Sequence, residues 1–160
     1  MKKIAALNGD MYNSYVFQIL FDYEISRCKR YPSPLTLIQL EMTPTAINSE
    51  ALSAAPEIFS SALNTHLRSV DIPSKEGNVF ALLLPNSEKH GAQAVCERLL
   101  SVFKNKFETP SGDSIVFSLH IGVTTHSGGA DITSEGVLQK AEEALKQSKL
   151  KGANTYVFLS

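Results

Sequence analysis

The chain has 160 residues, 43% apolar and 19% charged, with a formal net charge of −1. That length suits one hydrophobic core, so the expectation is a single domain over 1–160. Near-neutral charge excludes a protein held on DNA or an anionic membrane by a global field, so neither is expected as a partner. No apolar run approaches the roughly 20 residues of a spanning helix. The start, "MKKIAALNGD", carries two lysines and a short apolar patch, but Asn8-Gly9-Asp10 breaks it too early for a signal peptide. Cys28 and Cys96 fall in helix-like segments and suggest free buried thiols in a reducing cytoplasm rather than a disulfide framework.

In residues 11–30, Val16, Phe17, Leu20, Phe21, Ile25 and Cys28 recur with a helical period, with Asp10 or Asn13 as cap and "YPSP" as the stop. "LTLIQLEM", 35–42, reads as a buried strand and 43–49 as a loop. A helix then runs from Ser49 or Ser53 to Ser69, with Leu52, Ala55, Ile58, Phe59, Ala62, Leu63 and Leu67 inward. Pro56 fits best near a first turn or at a kink. A short strand near 70–74, a turn at Glu76-Gly77-Asn78 and a strand over 79–84 make a hairpin, with both faces of the second strand expected to be covered. Ser87 is the expected cap of a helix reaching Phe107, with Ala92, Val95, Cys96, Leu99, Phe103 and Phe107 inward. A turn at 110–113 leads into a strand with Ile115, Phe117, Leu119 and Ile121 on one face. The last helix spans 133–150 with Leu138, Ala141, Leu145 and Ser148 along a stripe. Gly152 stops it, and "TYVFL" is the closing strand. The order α, β, α, β-hairpin, α, β, α, β predicts an α+β fold: an antiparallel-rich central sheet covered by helices, of the ferredoxin-like palm type.

This order resembles the GGDEF domain, the diguanylate cyclase fold, over about Asn13 to Phe158. Asn13, Phe17, Leu20, Glu24, Arg27 and Arg30 follow the family's first-helix pattern. "PLTLIQLE" looks like its first catalytic strand, and "GNVFALLLPNS" like the signature hairpin and following strand. "FSLHIGVTT" is similar to "T-x-S-x-G-v-a", and "AEEALKQSKLKGANTYVF" to the last helix and strand. The last two segments are the most specific, and the order and spacing of all of them carry the resemblance.

The resemblance implies a site for two GTP molecules and two divalent metals held by carboxylates. Here the strand position is Glu41, and the signature reads Glu76-Gly77-Asn78-Val79-Phe80. Val79 can neither ligate a metal nor accept a proton, and Asn78 offers one neutral oxygen. Glu76 puts a carboxylate where the family brings backbone to phosphate. Ala153 replaces a phosphate-contacting arginine, while Lys149 keeps the neighbouring lysine for residual phosphate binding. The plain alternatives are that Glu41 is an exposed strand-end residue and Lys149 a solvated helix-end cation. Asn48 lies one residue out of register with the family's guanine-contacting Asn and reads as a helix cap.

Arg68 and Asp71 in "RSVD" match the family's R-x-x-D product-binding site, with a spacing to the signature one residue shorter than usual. Arg98 occupies the register of its further arginine. Arg68 can bind phosphate or guanine acceptors, Asp71 can accept from the guanine edge, and Arg98 can stack on a base. The plain alternative is a surface ion pair worth ~0–1 kcal/mol. His66, His90, His120 and His126 lack metal-ligand spacing, and His120 reads as a satisfied sheet residue.

The expectation is therefore a catalytically inactive GGDEF-type signalling module in the bacterial cytoplasm. Its candidate ligand is cyclic di-GMP, it needs no cofactor, and a protein partner supplies input or output. The oligomeric state is open, a dimer included. Met1 stands close to the first helix, so no sensor or output domain is expected ahead of the fold. One rival is a divergent cyclase converting GTP to cyclic di-GMP with magnesium on Glu41 and Asn78. The other is an adaptor that docks a protein and binds no nucleotide.

Overall fold

A computed structural model describing residues 11–160 has helices α1 (Ser14–Arg30), α2 (Ser49–Thr65), α3 (Lys89–Val102) and α4 (Ser134–Lys151) and strands β1 (Leu35–Ala46), β2 (Ile72–Glu76), β3 (Val79–Pro85), β4 (Phe107–Glu108), β5 (Ser114–His126) and β6 (Thr155–Leu159). The strands join one sheet in the order β2-β3-β1-β5-β4, with β6 also paired to β5. All pairings between strands are antiparallel except β5 with β6. Helices α1 and α4 cover one face and α2 and α3 the other. This is the α+β architecture that the sequence predicts.

Asn13 caps α1 (Ser14–Arg30): its side chain accepts the Val16 N–H at 2.8 Å, satisfying a donor the helix leaves free. The other candidate cap, Asp10, lies outside the described residues. Phe17, Phe21, Ile25 and Cys28 form the buried face. Met11 and Tyr12 precede the helix instead of joining it. Tyr12 donates to the Pro73 carbonyl at 2.9 Å and accepts from the Lys75 N–H at 3.1 Å, bridging the edge of β2.

Strand β1 (Leu35–Ala46) is longer than its apolar run. It pairs with β3 (Val79–Pro85) only as far as Glu41, but with β5 (Ser114–His126) all the way to Ala46 opposite Ile115. The segment expected as a loop from 43 is therefore strand through Ala46. Pro44 is tolerated there because strand N–H groups alternate in direction. Met42 N–H donates to the Asn78 carbonyl on the β3 side, so the missing N–H of Pro44 faces that same side, past the end of β3.

Asn48 caps α2 (Ser49–Thr65), accepting from Ala51 N–H at 2.7 Å. The helix ends at Thr65 rather than Ser69, and it carries Pro56 in its interior rather than at a first turn. Leu52, expected inward, is 38% exposed; Ser60 is buried instead, beside Ala55, Phe59 and Leu63. Strand β2 (Ile72–Glu76) starts two residues later than expected, after a turn.

In β3, Phe80, Leu82 and Leu84 face the α2/α3 core while Leu83 faces α1, so both sides are covered. Helix α3 (Lys89–Val102) has Glu88 at its N-cap without a side-chain bond. Ser87 is not the cap; it is buried, and its carbonyl accepts from the Thr36 hydroxyl at 2.9 Å. The helix also stops short of Phe107, which pairs with Ile115 in β4 (Phe107–Glu108). A turn closed by Thr109 N–H to the Asp113 carbonyl at 2.8 Å connects β4 to β5. Phe107 still reaches the core, 5.5 Å from the Phe103 ring, so a helix or a strand satisfies the same apolar spacing.

Thr133 caps α4 (Ser134–Lys151), and Gly152, at φ 123°, ends it before β6 (Thr155–Leu159). Where α4 crosses β5, a Cβ on Gly122 would lie 2.0 Å from the Leu145 backbone nitrogen. Only glycine permits that approach. Among the described residues no helix is long and apolar enough to cross a membrane.

Candidate functional site

Two groups of candidate residues lie at places set by the sheet. The first surrounds the β2–β3 hairpin. Glu76 pairs with Val79 across the two-residue turn Gly77-Asn78. Gly77, at φ 63°, supplies the positive φ that a tight hairpin needs at its first central position. Val79 lies opposite Glu41 on β1, and Glu41 lies opposite His120 on β5. Directly opposed residues of antiparallel strands share a face, so Val79, Glu41 and His120 form one row.

Lys149, in the last turn of α4, reaches that row and ion-pairs with Glu41. The structure thus brings Glu41, Val79 and Lys149 together, while Glu76, Gly77 and Asn78 stand exposed in the hairpin turn, Asn78 tied to β1 only through its carbonyl, which accepts the Met42 N–H. The lysine and carboxylate side chains are 47% and 30% exposed, so the pair contributes little stability, ~0–1 kcal/mol. Its chemical effect is larger. Glu41 is the single carboxylate of the row, and a cation already holds it.

A pair of magnesium ions does not fit these donors, because hard divalent ions need several carboxylate or phosphate oxygens. No cluster of three or more His, Cys, Asp or Glu groups suited to a metal occurs among the described residues. His120 departs from expectation: its Nδ1 is buried without a hydrogen-bond partner. Strand alternation alone gives no sign of that.

The second group is the turn between α2 and β2. The Arg68 backbone N–H donates to Asp71 Oδ2 at 2.8 Å, and its Nε and Nη2 donate to Oδ1 at 3.1 and 2.9 Å. Nη2 also donates to the Pro85 carbonyl at 2.8 Å. Asp71 is 4% exposed, so this is not a simple surface pair. Both carboxylate oxygens are occupied from within, although half of the Arg68 side chain stays in solvent. Arg98 Nη2 donates to the His66 carbonyl at 3.3 Å, at the start of the same turn.

Beside this turn lies a cavity of about 400 Å³ lined by Tyr12, Glu24, Arg27, Val70, Asp71 and Asn86, among others. Glu24 and Arg27 pair at 2.9 Å across one turn of α1. The hydrogen bond to Glu24 holds the Arg27 guanidinium above its ordinary pKa. Sequence reasoning did not single out these two as site residues. The available signal was an i,i+3 charge pair on the flank of an otherwise apolar helix face.

The family model described as "Diguanylate cyclase, GGDEF domain" matches residues 57–155. The chain belongs to the GGDEF family. The response regulator PleD of Caulobacter vibrioides is 28% identical to this GGDEF chain over 102 residues, 62% of the chain and 22% of PleD. The chain thus spans less than a quarter of that curated relative's length. The GGDEF domain of PA1120 (YfiN or TpbB) from Pseudomonas aeruginosa superposes with a TM-score of 0.81 at 18% identity, covering 95% of this chain and 98% of that one. Diguanylate cyclase SiaD, from the same organism and in complex with its activator SiaC, gives 0.79 at 20% identity over 94% and 60%. The DgcB GGDEF domain of Caulobacter crescentus, in complex with c-di-GMP, gives 0.77 at 16% identity over 99% and 98%. At these identities the likeness establishes the fold.

Proposed function

We propose that this GGDEF-family chain does not synthesise cyclic di-GMP but acts in cyclic di-GMP signalling as a binding module. The observation that carries the first half is the Glu41–Lys149 ion pair beside Val79. One carboxylate, already neutralised, stands where two-metal chemistry needs several free acidic groups. Magnesium would have to displace Lys149 before it could bind, and would then face the aliphatic Val79 instead of a second carboxylate.

The binding half rests on the 66–71 turn. Arg68 keeps half its side chain in solvent, and Arg98 is anchored to the same turn. In this proposal Arg68 and Arg98 engage the phosphates, while Asp71 orients Arg68 rather than reading the guanine edge itself. A protein partner supplies input or output, and the module works in the bacterial cytoplasm, where Cys28 and Cys96 remain reduced. Both kinds of partner have precedents among similar structures, since DgcB is in complex with c-di-GMP and SiaD with its activator.

Incubation with GTP and magnesium or manganese, followed by chromatography, tests turnover. The expected result is no cyclic di-GMP. Product that vanishes on Glu41→Ala would revive the divergent cyclase. Calorimetric titration with cyclic di-GMP, GTP and GDP side by side tests binding, with cyclic di-GMP tightest and Arg68→Ala weakening it roughly tenfold to a hundredfold. No heat from any of the three leaves the nucleotide-free adaptor as the reading.

A further inference from the structure

Most exposed edges of the sheet carry a feature that discourages another strand. The outer side of β2 is bridged by Tyr12 and contains Pro73, Lys75 and Glu76. The end of β1 beyond β3 contains Pro44. Strand β4 is two residues long. Proline, charge and shortness are the usual protections of an edge. Strand β6, Thr155-Tyr-Val-Phe-Leu159, has none of them, and among the described residues it pairs only with β5. Met42 N–H donates to the Asn78 carbonyl, so even residues of β1 face β3 and even residues of β5 face β1. With Ile121 opposite Tyr156 and Val123 opposite Phe158 in the parallel pair, the backbone groups of Thr155, Val157 and Leu159 point at β5 and those of Tyr156 and Phe158 point outward.

We propose that β6 is the docking edge for a second copy of this chain, the two strands pairing antiparallel about Val157. The register is self-complementary. It sets Val157 against Val157 of the partner subunit and Tyr156 against Phe158 of the partner subunit, an aromatic pair of the kind that stabilises strand pairing.

The flanking charges fit the same register. Glu97 accepts from the Tyr156 hydroxyl at 3.1 Å, while the Lys89 ammonium lies 5.0 Å from the Phe158 ring centre. Two-fold pairing therefore brings Lys89 beside Glu97 of the partner subunit, and the reverse, giving two opposite-charge pairs. On the α4 side, Leu150 is 85% exposed and lines an open cavity of about 370 Å³ with Gln147, Lys151 and Val157. That cavity lies against the strand centre, so each Leu150 has apolar surface near the two-fold axis to cover. The contact is small, below the ~1,200 Å² of a standard stable interface, and so gives a reversible dimer that depends on concentration.

Sedimentation equilibrium of the full chain tests this. The expected result is a monomer–dimer equilibrium that Leu150→Lys and Lys89→Glu each weaken at least tenfold. The swap Lys89→Glu with Glu97→Lys should restore association, because it exchanges the signs across the interface. Leu150 and Lys89 are exposed, so thermal unfolding of these variants should stay close to wild type. A chain that is monomeric at about 0.5 mM, where even weak contacts populate a dimer, overturns the proposal. So does a dimer that neither substitution affects, or a double variant that fails to recover.

Discussion

Replacing Asp71 with alanine separates a structural carboxylate from a ligand-reading one. The substitution removes the acceptor of three hydrogen bonds, one from the Arg68 backbone and two from its guanidinium. Half of the Arg68 side chain is already in water, so the two guanidinium bonds are largely replaced by solvent and contribute ~0–1 kcal/mol. The backbone N–H at 2.8 Å has a charged acceptor in a tight turn, and its loss costs about 1.5–2 kcal/mol. The total is about 1.5–3 kcal/mol, which lowers a urea midpoint by roughly 1 M for a domain of this size. Asp71→Asn keeps an oxygen for the backbone donor and should cost about 1 kcal/mol. Urea unfolding followed by circular dichroism measures both. If Asp71→Ala unfolds within about 0.5 kcal/mol of wild type, the carboxylate is not holding the turn, and the view that Asp71 acts through Arg68 fails.

Lys149→Ala should change stability by less than about 1 kcal/mol, because the Glu41 pair is partly exposed; a larger loss in the same unfolding assay would contradict a solvent-screened pair. Gly122→Ala places a methyl against the backbone of Leu145, Ala141 and Ala144, which cannot yield as a side chain can. It should destabilise by about 1–3 kcal/mol or more, and a wild-type urea midpoint would contradict that contact. Burial pushes the Cys96 thiol up to about 12, and Cys28 is fully buried, so neither should react with an aromatic disulfide reagent in native protein at neutral pH. Two thiols should appear once the chain is denatured.

Local signals placed α1 and α4 well and the start of α2: Asn13 and Asn48 are caps, Gly152 is a stop, and the apolar periods of α1 and α4 are real, whereas Ser87 is not the cap of α3 and α2 ends four residues early. Boundaries set by distant pairing were not legible. Thr43 to Ala46 contains a proline and reads as loop, yet β5 extends far enough to keep it in the sheet. The spacing of Leu99, Phe103 and Phe107 suits a longer helix, and only the partner Ile115 shows that the last of them is strand. The site followed the same rule. Glu41 and Val79 could be placed together from the hairpin and strand order. The ion pair with Lys149 joins two residues that each look solvent-facing in isolation. Burial of Asp71 depends on a turn whose geometry is completed by the Pro85 carbonyl from another strand.

The two backbone bonds between Tyr12 and β2 also define a load path. A displacement of the chain ahead of α1 acts on Pro73 and Lys75 through these bonds as well as on the core that Met11 and Tyr12 join. One end of β2 emerges from the Arg68–Asp71 turn, and the other carries the Gly77 hairpin next to Glu41. A pull or twist at Tyr12 is therefore delivered along a single five-residue strand to both candidate sites at once, and a ligand that stiffens the turn resists the same motion from the opposite end.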